Sequence, residues 1–309
     1  MNSASPKSQG KAWVTLLTRK SYLPGCLVLL SSLRRHSSNY PLVVLVNPLS
    51  EDTEQLDQLP AGVREILKTQ GLKLREVEWL EPLNGRYHAT DSRFADTWTK
   101  LRFADLIEYE RVVLLDSDML VRKNMDELME MSLGANEIAA VHACTCNPRK
   151  LPHYPSDWSP QNCGHTYNHH TLHTLNSGLI VANPSTEMYE GILHTLNTDH
   201  GVANMIFPDQ DLLSLHFKGK IRFLGYEYNA LKTLRECHPK IWRDDKVRNV
   251  HYILDKPWST RRMVTVDDFT EVEKWWWDEF EQLEKSWAGT LEAWKVVLST
   301  LAAKRSDLI

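Results

Sequence analysis

Asp116 and Asp118 are separated by one residue and follow directly on Val112 to Leu115, a run with no polar alternation. Such a run reads as a strand covered on both faces, as in a parallel sheet. Two carboxylates leaving its C-terminal end offer hard oxygen ligands, suited to Mg2+ or Mn2+ carrying phosphates rather than to a soft-metal cage. Open α/β sheets bind ligands in the crevice beyond the carboxyl ends of their strands, so the position suits a nucleotide or cofactor.

Other readings of the pair stay open on these residues alone. Asp caps helices and forms Asx-turns, and Asn124 to Leu128 reads as a helix start. Phosphatases of the haloacid-dehalogenase type also carry Asp-x-Asp after a strand, with the first Asp as nucleophile. They want Thr or Val two residues after the second Asp, near the N-terminus. Here Leu120 holds that place, a third of the way along the chain.

The elements that would position these carboxylates follow from hydrophobic periodicity. Ala12 to Leu17 reads as a first strand, then Leu23, Leu27 and Leu30 recur at helical spacing toward Arg35. Leu42 to Val46 is a second continuous apolar strand. Glu51 to Gln70 reads as mostly helical with a break at Leu59 to Gly62, and Leu72 to Trp79 as a third strand. Asp96 to Glu110 predicts a helix with Phe103, Leu106 and Ile107 inward, leading into the Asp-x-Asp strand. Strand and helix in alternation imply a right-handed parallel α/β sheet. Further on, Leu179 to Ala182 predicts a strand, Ser185 to Leu196 and Asp209 to Phe217 helices, and Val247 to Ile253 a strand. From Asp267 onward Phe269, Val272, Trp276, Phe280, Leu283 and Trp287 keep a three-four spacing, which predicts one long helix packed on the domain. Its polar face is rich in Glu, which argues against a membrane surface.

With 309 residues, 42% hydrophobic and 25% charged, the chain is long enough to bury a substantial core. A net charge of -4 gives no basic footprint for nucleic acid. Met1 to Lys11 is polar with no apolar core, and no apolar run is long enough to span a bilayer, so a cytoplasmic protein is expected. Five cysteines do not make a disulfide scaffold at this length. Cys144, Cys146 and Cys163 share one segment with His142, His153, His165, His169, His170 and His173, and zinc is the sharp hypothesis there. Cys-x-Cys is not a usual zinc-knuckle spacing and the histidines keep no regular period, so a polar loop with partly buried thiols is the expectation.

Four islands follow the carboxylates: Leu175 to Gly178 (Leu-Asn-Ser-Gly), Phe207 to Asp211 (Phe-Pro-Asp-Gln-Asp), His251-Tyr252, and Lys256 to Trp258 (Lys-Pro-Trp). Together with the first strand and Lys100, their order and spacing resemble the nucleotide-sugar glycosyltransferases of family 8, the group containing glycogenin and galactinol synthase. The resemblance runs from about Trp13 to Trp258. It implies an α/β fold of GT-A type: a single domain over 12–265 with a Rossmann-like, mostly parallel sheet flanked by helices. A flexible segment over 1–11 and a C-terminal amphipathic helical extension over 266–309 would complete the chain.

What the resemblance implies about chemistry agrees with the residue types. Asp116 and Asp118 would hold Mn2+, with Mg2+ as the alternative, and His251 would be the third protein ligand; otherwise His251 is a satisfied histidine at a strand end. Ser117 would lie with them against the donor. Lys256, ahead of the stiffening Pro257, would meet the β-phosphate as a point charge. Relatives often carry glycine in this His-to-Lys turn, where Leu254 stands nearest. Leu16, Leu17 and Thr18 would receive the uracil and ribose, with Tyr22 stacking on the base. Lys100 would contact the donor sugar or phosphate, and Asn176 and Ser177 would bond the transferring sugar. Asp209 and Gln210 would lie beside the anomeric carbon, although Asp209 also reads as a helix cap.

Family 8 implies retention of configuration, by double displacement or by front-face attack assisted by the leaving diphosphate. Gln210 is a poor nucleophile, which favours the second. The segment around Cys144, Cys146 and Cys163, and Tyr228 to Leu231 followed by Cys237 to Pro239, resemble the galactinol synthase type more than glycogenin. The resulting expectation is a Mn2+-dependent hexosyltransferase moving galactose or glucose from a UDP-sugar to a hydroxyl of a separate small acceptor, such as the polyol inositol. A self-glucosylating primer and a noncatalytic nucleotide-sugar binder are the alternatives. Neither a nucleic acid partner nor a membrane span is expected, and homo-oligomerisation stays open.

Overall fold

Unbroken apolar runs become the central strands because only a strand covered on both faces removes every side chain of such a run from water. In the computed structural model, residues 10–49, 59–83, 97–166, 173–259 and 270–301 are described. Strand β1 (Lys11–Leu16) leads to helix α1 (Leu23–Arg35), β2 (Leu42–Val46), α2 (Ala61–Thr69), β3 (Lys73–Glu76), β4 (Arg111–Leu115) and β5 (Met119–Val121). Then come α3 (Glu127–Glu130), β6 (Ile138–His142), β7 (Leu175–Ala182), α4 (Thr186–Thr198), α5 (Pro208–His216) and β8 (Ile221–Leu224). Strand β9 (Ala230–Leu231), α6 (Leu234–Cys237), β10 (Asn249–His251), α7 (Thr270–Lys285) and α8 (Leu291–Thr300) complete the order. Seven strands form one sheet in the order β3-β2-β1-β4-β7-β6-β8, and a second sheet has the order β5-β10-β9. The described residues fall into two compact units, one within Met1–Val14, Glu78–Leu114 and Asp126–Gly225, the other within Thr15–Val77, Leu115–Met125 and Tyr226–Ile309.

In the first unit β1 runs parallel to β4, with Lys11 opposite Arg111 and Val14 opposite Leu114. Strand β6 is parallel to β8 but antiparallel to β7, so the sheet is mostly parallel, as expected. The pairing of β6 with β7 jumps from Ala140 opposite Ile180 to Val141 opposite Asn176. Ser177, Gly178 and Leu179 therefore lie in a bulge, a device that re-aims side chains at a strand end. The segment expected as a helix over Asp96 to Glu110 is instead a 3-10 turn over Thr97–Asp105, and Asp96 lies outside the described residues. Three residues per turn put Trp98, Leu101 and Ala104 in one inward row and Lys100, Phe103 and Leu106 in another. Ile107, expected inward, is exposed, because the 3-10 segment ends at Asp105 and Ile107 lies in the turn beyond it.

In the second unit β2 is parallel to β3, and Leu17 N–H donates to Leu45 O at 2.9 Å where β1 ends. Helix α1 is buried along most of its length, and Ser32 Oγ accepts from Val121 N–H at 3.1 Å, tying α1 to β5. The expected single C-terminal helix is two helices, because the chain turns after Lys285 and Thr290 caps α8 by accepting from Ala293 N–H at 3.1 Å. Val272, Trp276, Phe280 and Leu283 are buried as their spacing predicted, while Asp267 and Phe269 lie outside the described residues. Trp276 packs on Trp258 with ring centres 5.2 Å apart. Glu279 of α7 is buried, and it pairs with Arg35 Nε and accepts from Ser31 Oγ, each at 2.6 Å. No described helix is long and apolar enough to cross a membrane.

Gly25 sits where α1 presses on the turn after β4. A Cβ there would overlap the Ser117 carbonyl oxygen and come within 2.6 Å of the Trp258 ring. Gly25→Ala should therefore destabilise the protein by about 1–3 kcal/mol, the usual cost of overpacking, despite the better helix propensity of Ala. Urea unfolding of the two proteins measures it.

Candidate functional site

Asp116, Ser117 and Asp118 form the turn between β4 and β5. Strand β10 pairs antiparallel with β5, which puts His251 opposite Met119, and Tyr252 N–H donates to Asp118 O at 3.0 Å. This pairing brings His251 Nε2 to 3.3 Å from Asp118 Oδ1 and 3.6 Å from Asp116 Oδ2. One ligand atom from each of the three lies within 4.8 Å of the others. On the other side of the ring, His251 Nδ1 is 3.0 Å from Asn229 Oδ1. An amide oxygen only accepts, so Nδ1 donates to Asn229, and Nε2 is the nitrogen that faces the carboxylates. One imidazole nitrogen and two carboxylates, with the imidazole held from behind, fit a divalent cation of the Mn2+ or Mg2+ kind.

Lys256 Nζ ion-pairs with Asp118 Oδ2 and donates to Tyr252 O at 2.9 Å. Burial by itself would raise the Asp118 pKa, but Lys256 and His251 hold it well below the usual carboxylate range. Burial likewise works against the charge on Lys256, and Asp118, Tyr22 and Asp116 together outweigh it and raise the lysine. The turn carrying Lys256 is fixed from below by the fully buried Lys232, whose Nζ donates to Asp255 O at 2.6 Å and to Glu273 Oε1 at 3.0 Å. Leu254 adopts φ 63°, the left-handed conformation glycine takes without cost, so the backbone shape expected of a glycine is kept with a leucine in place. Tyr22 packs edge-on against Trp258 at 5.9 Å, and Lys256 Nζ is 5.8 Å from its ring centre. Leu16 closes β1, Leu17 is buried, and Thr18 is half-buried just beyond the strand; Ser117 is buried in its turn.

A second set lies in the first unit. Lys100 Nζ is 2.8 Å from Asp209 Oδ2, and both are buried, so Lys100 is not a solvated helix lysine. The N-cap position of α5 is Phe207, with Pro208 in the first turn, so Asp209 does not cap the helix; its carboxylate goes to Lys100. Asp211 serves the helix start instead, accepting from Ile206 N–H at 3.0 Å and Phe207 N–H at 2.9 Å. Asn176 Oδ1 accepts from Gly178 N–H at 3.1 Å, and Asn176 Nδ2 donates to Gln210 Oε1 at 3.2 Å. Gln210 Nε2 is thereby left as a buried donor with no partner among the described residues. Ser177 is buried in the bulge of β7.

Thus Leu16, Leu17, Thr18, Tyr22, Ser117, Asp116, Asp118, His251 and Lys256 share one unit, and Lys100, Asn176, Ser177, Asp209 and Gln210 the other. Asn229, Lys232 and Asp211 had no assigned role in the sequence. Asn229 lies in the Tyr228 to Leu231 segment, whose composition alone gave no sign that its amide orients a ring.

The sequence matches the profile of Glycosyl transferase family 8 over residues 13–261. The chain belongs to glycosyl transferase family 8. This family 8 chain is 28% identical to Galactinol synthase 6 of Arabidopsis thaliana over 314 residues, covering 96% of this chain and 89% of the relative. It is 29% identical to Galactinol synthase 1 of Solanum lycopersicum over 298 residues, covering 91% and 86%. Among solved structures, the galactosyltransferase LgtC in complex with donor and acceptor sugar analogs superposes with a TM-score of 0.60 at 20% identity, covering 92% of this chain and 99% of that one. The glycosyltransferase GlyE of Streptococcus pneumoniae TIGR4 superposes with a TM-score of 0.58 at 19% identity; the match covers 90% of this chain but 63% of GlyE. These likenesses show the GT-A fold, and the family makes the protein a glycosyltransferase.

In this family 8 protein Asn229→Ala should weaken divalent-cation binding about 10–100-fold, the scale of losing a partner that orients a metal-binding imidazole; titration calorimetry with Mn2+ and with Mg2+ reads it. Burial raises the Asp211 pKa from 3.8 to about 6, against the two backbone N–H groups that lower it. A folded-state value above the unfolded one means its stabilisation is complete below about pH 4 and is lost as pH rises through about 6. Asp211→Asn should remove that slope, leaving the variant more stable than the parent at pH 7 by up to roughly 3 kcal/mol. Urea midpoints measured across pH 4 to 7 test the sign.

Proposed function

We propose that this family 8 glycosyltransferase retains anomeric configuration and moves a hexose from UDP-galactose or UDP-glucose to a hydroxyl of a separate small acceptor, a polyol such as inositol. The observation that carries this reading is the convergence of Asp116, Asp118 and His251, with Lys256 beside them, in a chain of that family. Similarity to galactinol synthases along nearly the whole chain supports the acceptor class.

Asp116, Asp118 and His251 would hold Mn2+, with Mg2+ as the alternative. Bound there, the ion supplies Lewis-acid neutralisation of the diphosphate charge. Lys256 adds a fixed positive charge for the β-phosphate as the bond to the sugar breaks. Tyr22 offers its ring to the uracil, and Leu16, Leu17 and Thr18 their strand end to the base and ribose. Asn176 and Ser177 hydrogen-bond sugar hydroxyls. Lys100 holds Asp209 in place by their ion pair, so its carboxylate accepts from sugar hydroxyls rather than attacking carbon. Gln210, whose carbonyl oxygen is taken by Asn176, presents Nε2 as a donor toward the reactive face. In front-face attack the acceptor oxygen bonds to the anomeric carbon as the bond to UDP breaks, and a diphosphate oxygen takes the acceptor proton.

UDP release from a panel of UDP-sugars, with and without Mn2+ and inositol, tests the proposal. The expected result is Mn2+-dependent release stimulated by inositol, reduced about a hundredfold or more by Asp118→Asn. If no UDP-sugar shifts thermal stability in Mn2+ and none is cleaved, the enzymatic reading fails. Hexose found on the protein's own tyrosines by intact mass would replace the separate acceptor with self-glycosylation.

A further inference from the structure

The connection from β6 to β7 holds a second group of metal-binding side chains that plays no part in the chemistry above. Cys144 and Cys146 come two and four residues after β6, and Cys163 sits between two 3-10 turns, Pro160–Asn162 and Gly164–Thr166. Cys163 is fully buried and Cys146 nearly so. Their three sulfurs all lie within 4.8 Å of one another. Sulfur Sγ of Cys144 is 3.9 Å from Sγ of Cys163. A disulfide brings sulfurs to about 2.0 Å. Two thiolates on one tetrahedral zinc, each about 2.3 Å from it, stand about 3.8 Å apart. The observed separation is no disulfide, and it leaves room for two ligands sharing an ion.

We infer that Cys144, Cys146 and Cys163 form a structural site for a thiophilic divalent cation, zinc by preference, separate from the Asp116, Asp118 and His251 set. Soft sulfur donors select zinc, whereas two carboxylates and an imidazole suit Mn2+ or Mg2+, so one chain can sort two ions by ligand type. Binding deprotonates the thiols: three Cys–SH and Zn2+ give the tris-thiolate complex and three protons.

Two histidines of the segment make contacts of their own. The His142 ring stacks on Phe223 with centres 3.6 Å apart, and burial with His165 nearby pushes its pKa down to about 4. His165 Nε2 lies 3.2 Å from His142 O. None of His142, His153, His165 or His173 joins the sulfur group; His169 and His170 lie outside the described residues. The fourth tetrahedral position falls to a donor from outside the segment or to water. Between Ala143 and Thr174 the described chain has only two short 3-10 turns as regular structure. An ion joining residues 144, 146 and 163 would cross-link this connection next to the strand that carries Asn176 and Ser177, as His142 pairs with Leu175. The ion's role is to hold that connection in shape, not to act on substrate.

Zinc is the probe. The reduced full-length protein, reconstituted with zinc and dialysed against metal-free buffer, is assayed for bound metal, and Co2+ replaces zinc in a parallel sample. One equivalent of zinc per chain is expected, with thiolate-to-Co2+ charge transfer in the ultraviolet and intense tetrahedral bands in the visible. Asp118→Asn should keep this zinc, which separates the result from any failure of the Mn2+ site. Cys144→Ser and Cys163→Ser should lose it. Cys26→Ser should not, because Cys26 is buried in α1 with its thiol pushed up to about 12. If the folded, reduced wild type takes up no zinc and Co2+ shows no thiolate band, the inference is wrong. Zinc retained by the triple serine variant, or a Cys144–Cys163 disulfide in protein purified without oxidant, would overturn it equally.

Discussion

Two carboxylates at the mouth of a buried strand are the constraint from which the second unit follows. Removing such anions from water is unfavourable unless cations and donors meet them. Asp118 is almost wholly buried, and Lys256 and His251 keep it ionised. Each needs its own support. His251 is delivered by the pairing of β10 with β5 and turned by Asn229; Lys256 rides on a turn held from beneath by Lys232 and shaped by the left-handed backbone of Leu254. The three-stranded sheet, which exposes little of interest on its own account, is the frame for this charge balance. Helix α1 completes it from the other side through Gly25, whose missing side chain leaves room for the Ser117 carbonyl.

The first unit meets the same problem with a different device. Its 3-10 segment repeats every three residues, which turns Lys100 inward beside Phe103 and Leu106 and lets a buried ammonium meet Asp209. Asn176 and Gln210 share one hydrogen bond, which settles the orientation of both amides and leaves a single donor unspent. The bulge of β7 sets Ser177 and Gly178 outside the ladder, and the Gly178 N–H then fixes Asn176. In both units a polar side chain is held by a neighbour whose own geometry is dictated by backbone pairing. Pre-organisation of this kind is what stabilises developing charge without reorganisation during a reaction.

Residue by residue, legibility followed the range of the interaction. Strand β2 stands where its five apolar residues put it, and the buried face of α7 follows its spacing, whereas α1 is buried all round over Leu23 to Leu30 and not only along Leu23, Leu27 and Leu30. Asp96 to Glu110 misled, because apolar residues at mixed spacing do not separate a 3.6 from a 3.0 repeat when the segment is short. Strand β5, with three residues, is too short to announce itself beside β4. Its partner lies in the last quarter of the chain. Asn229 and Lys232 were unreadable for a related reason: an ordinary polar residue acquires its role only from what faces it. The cysteines show the reverse case, since an unusual Cys-x-Cys spacing argued against a metal while folding brings a distant third sulfur to the pair.

What the sequence by itself determined is the repertoire: an α/β chain of family 8 with Asp-x-Asp at the end of a buried strand and further polar islands in a fixed order. Those features are local in the chain, so periodicity and residue type are enough to carry them. Only the tertiary structure decided which of those residues meet, which nitrogen of His251 faces the carboxylates, and that Asp209 answers Lys100 instead of capping its helix. Such choices depend on distances of a few ångströms between segments far apart in sequence, and strand pairing and burial set those distances.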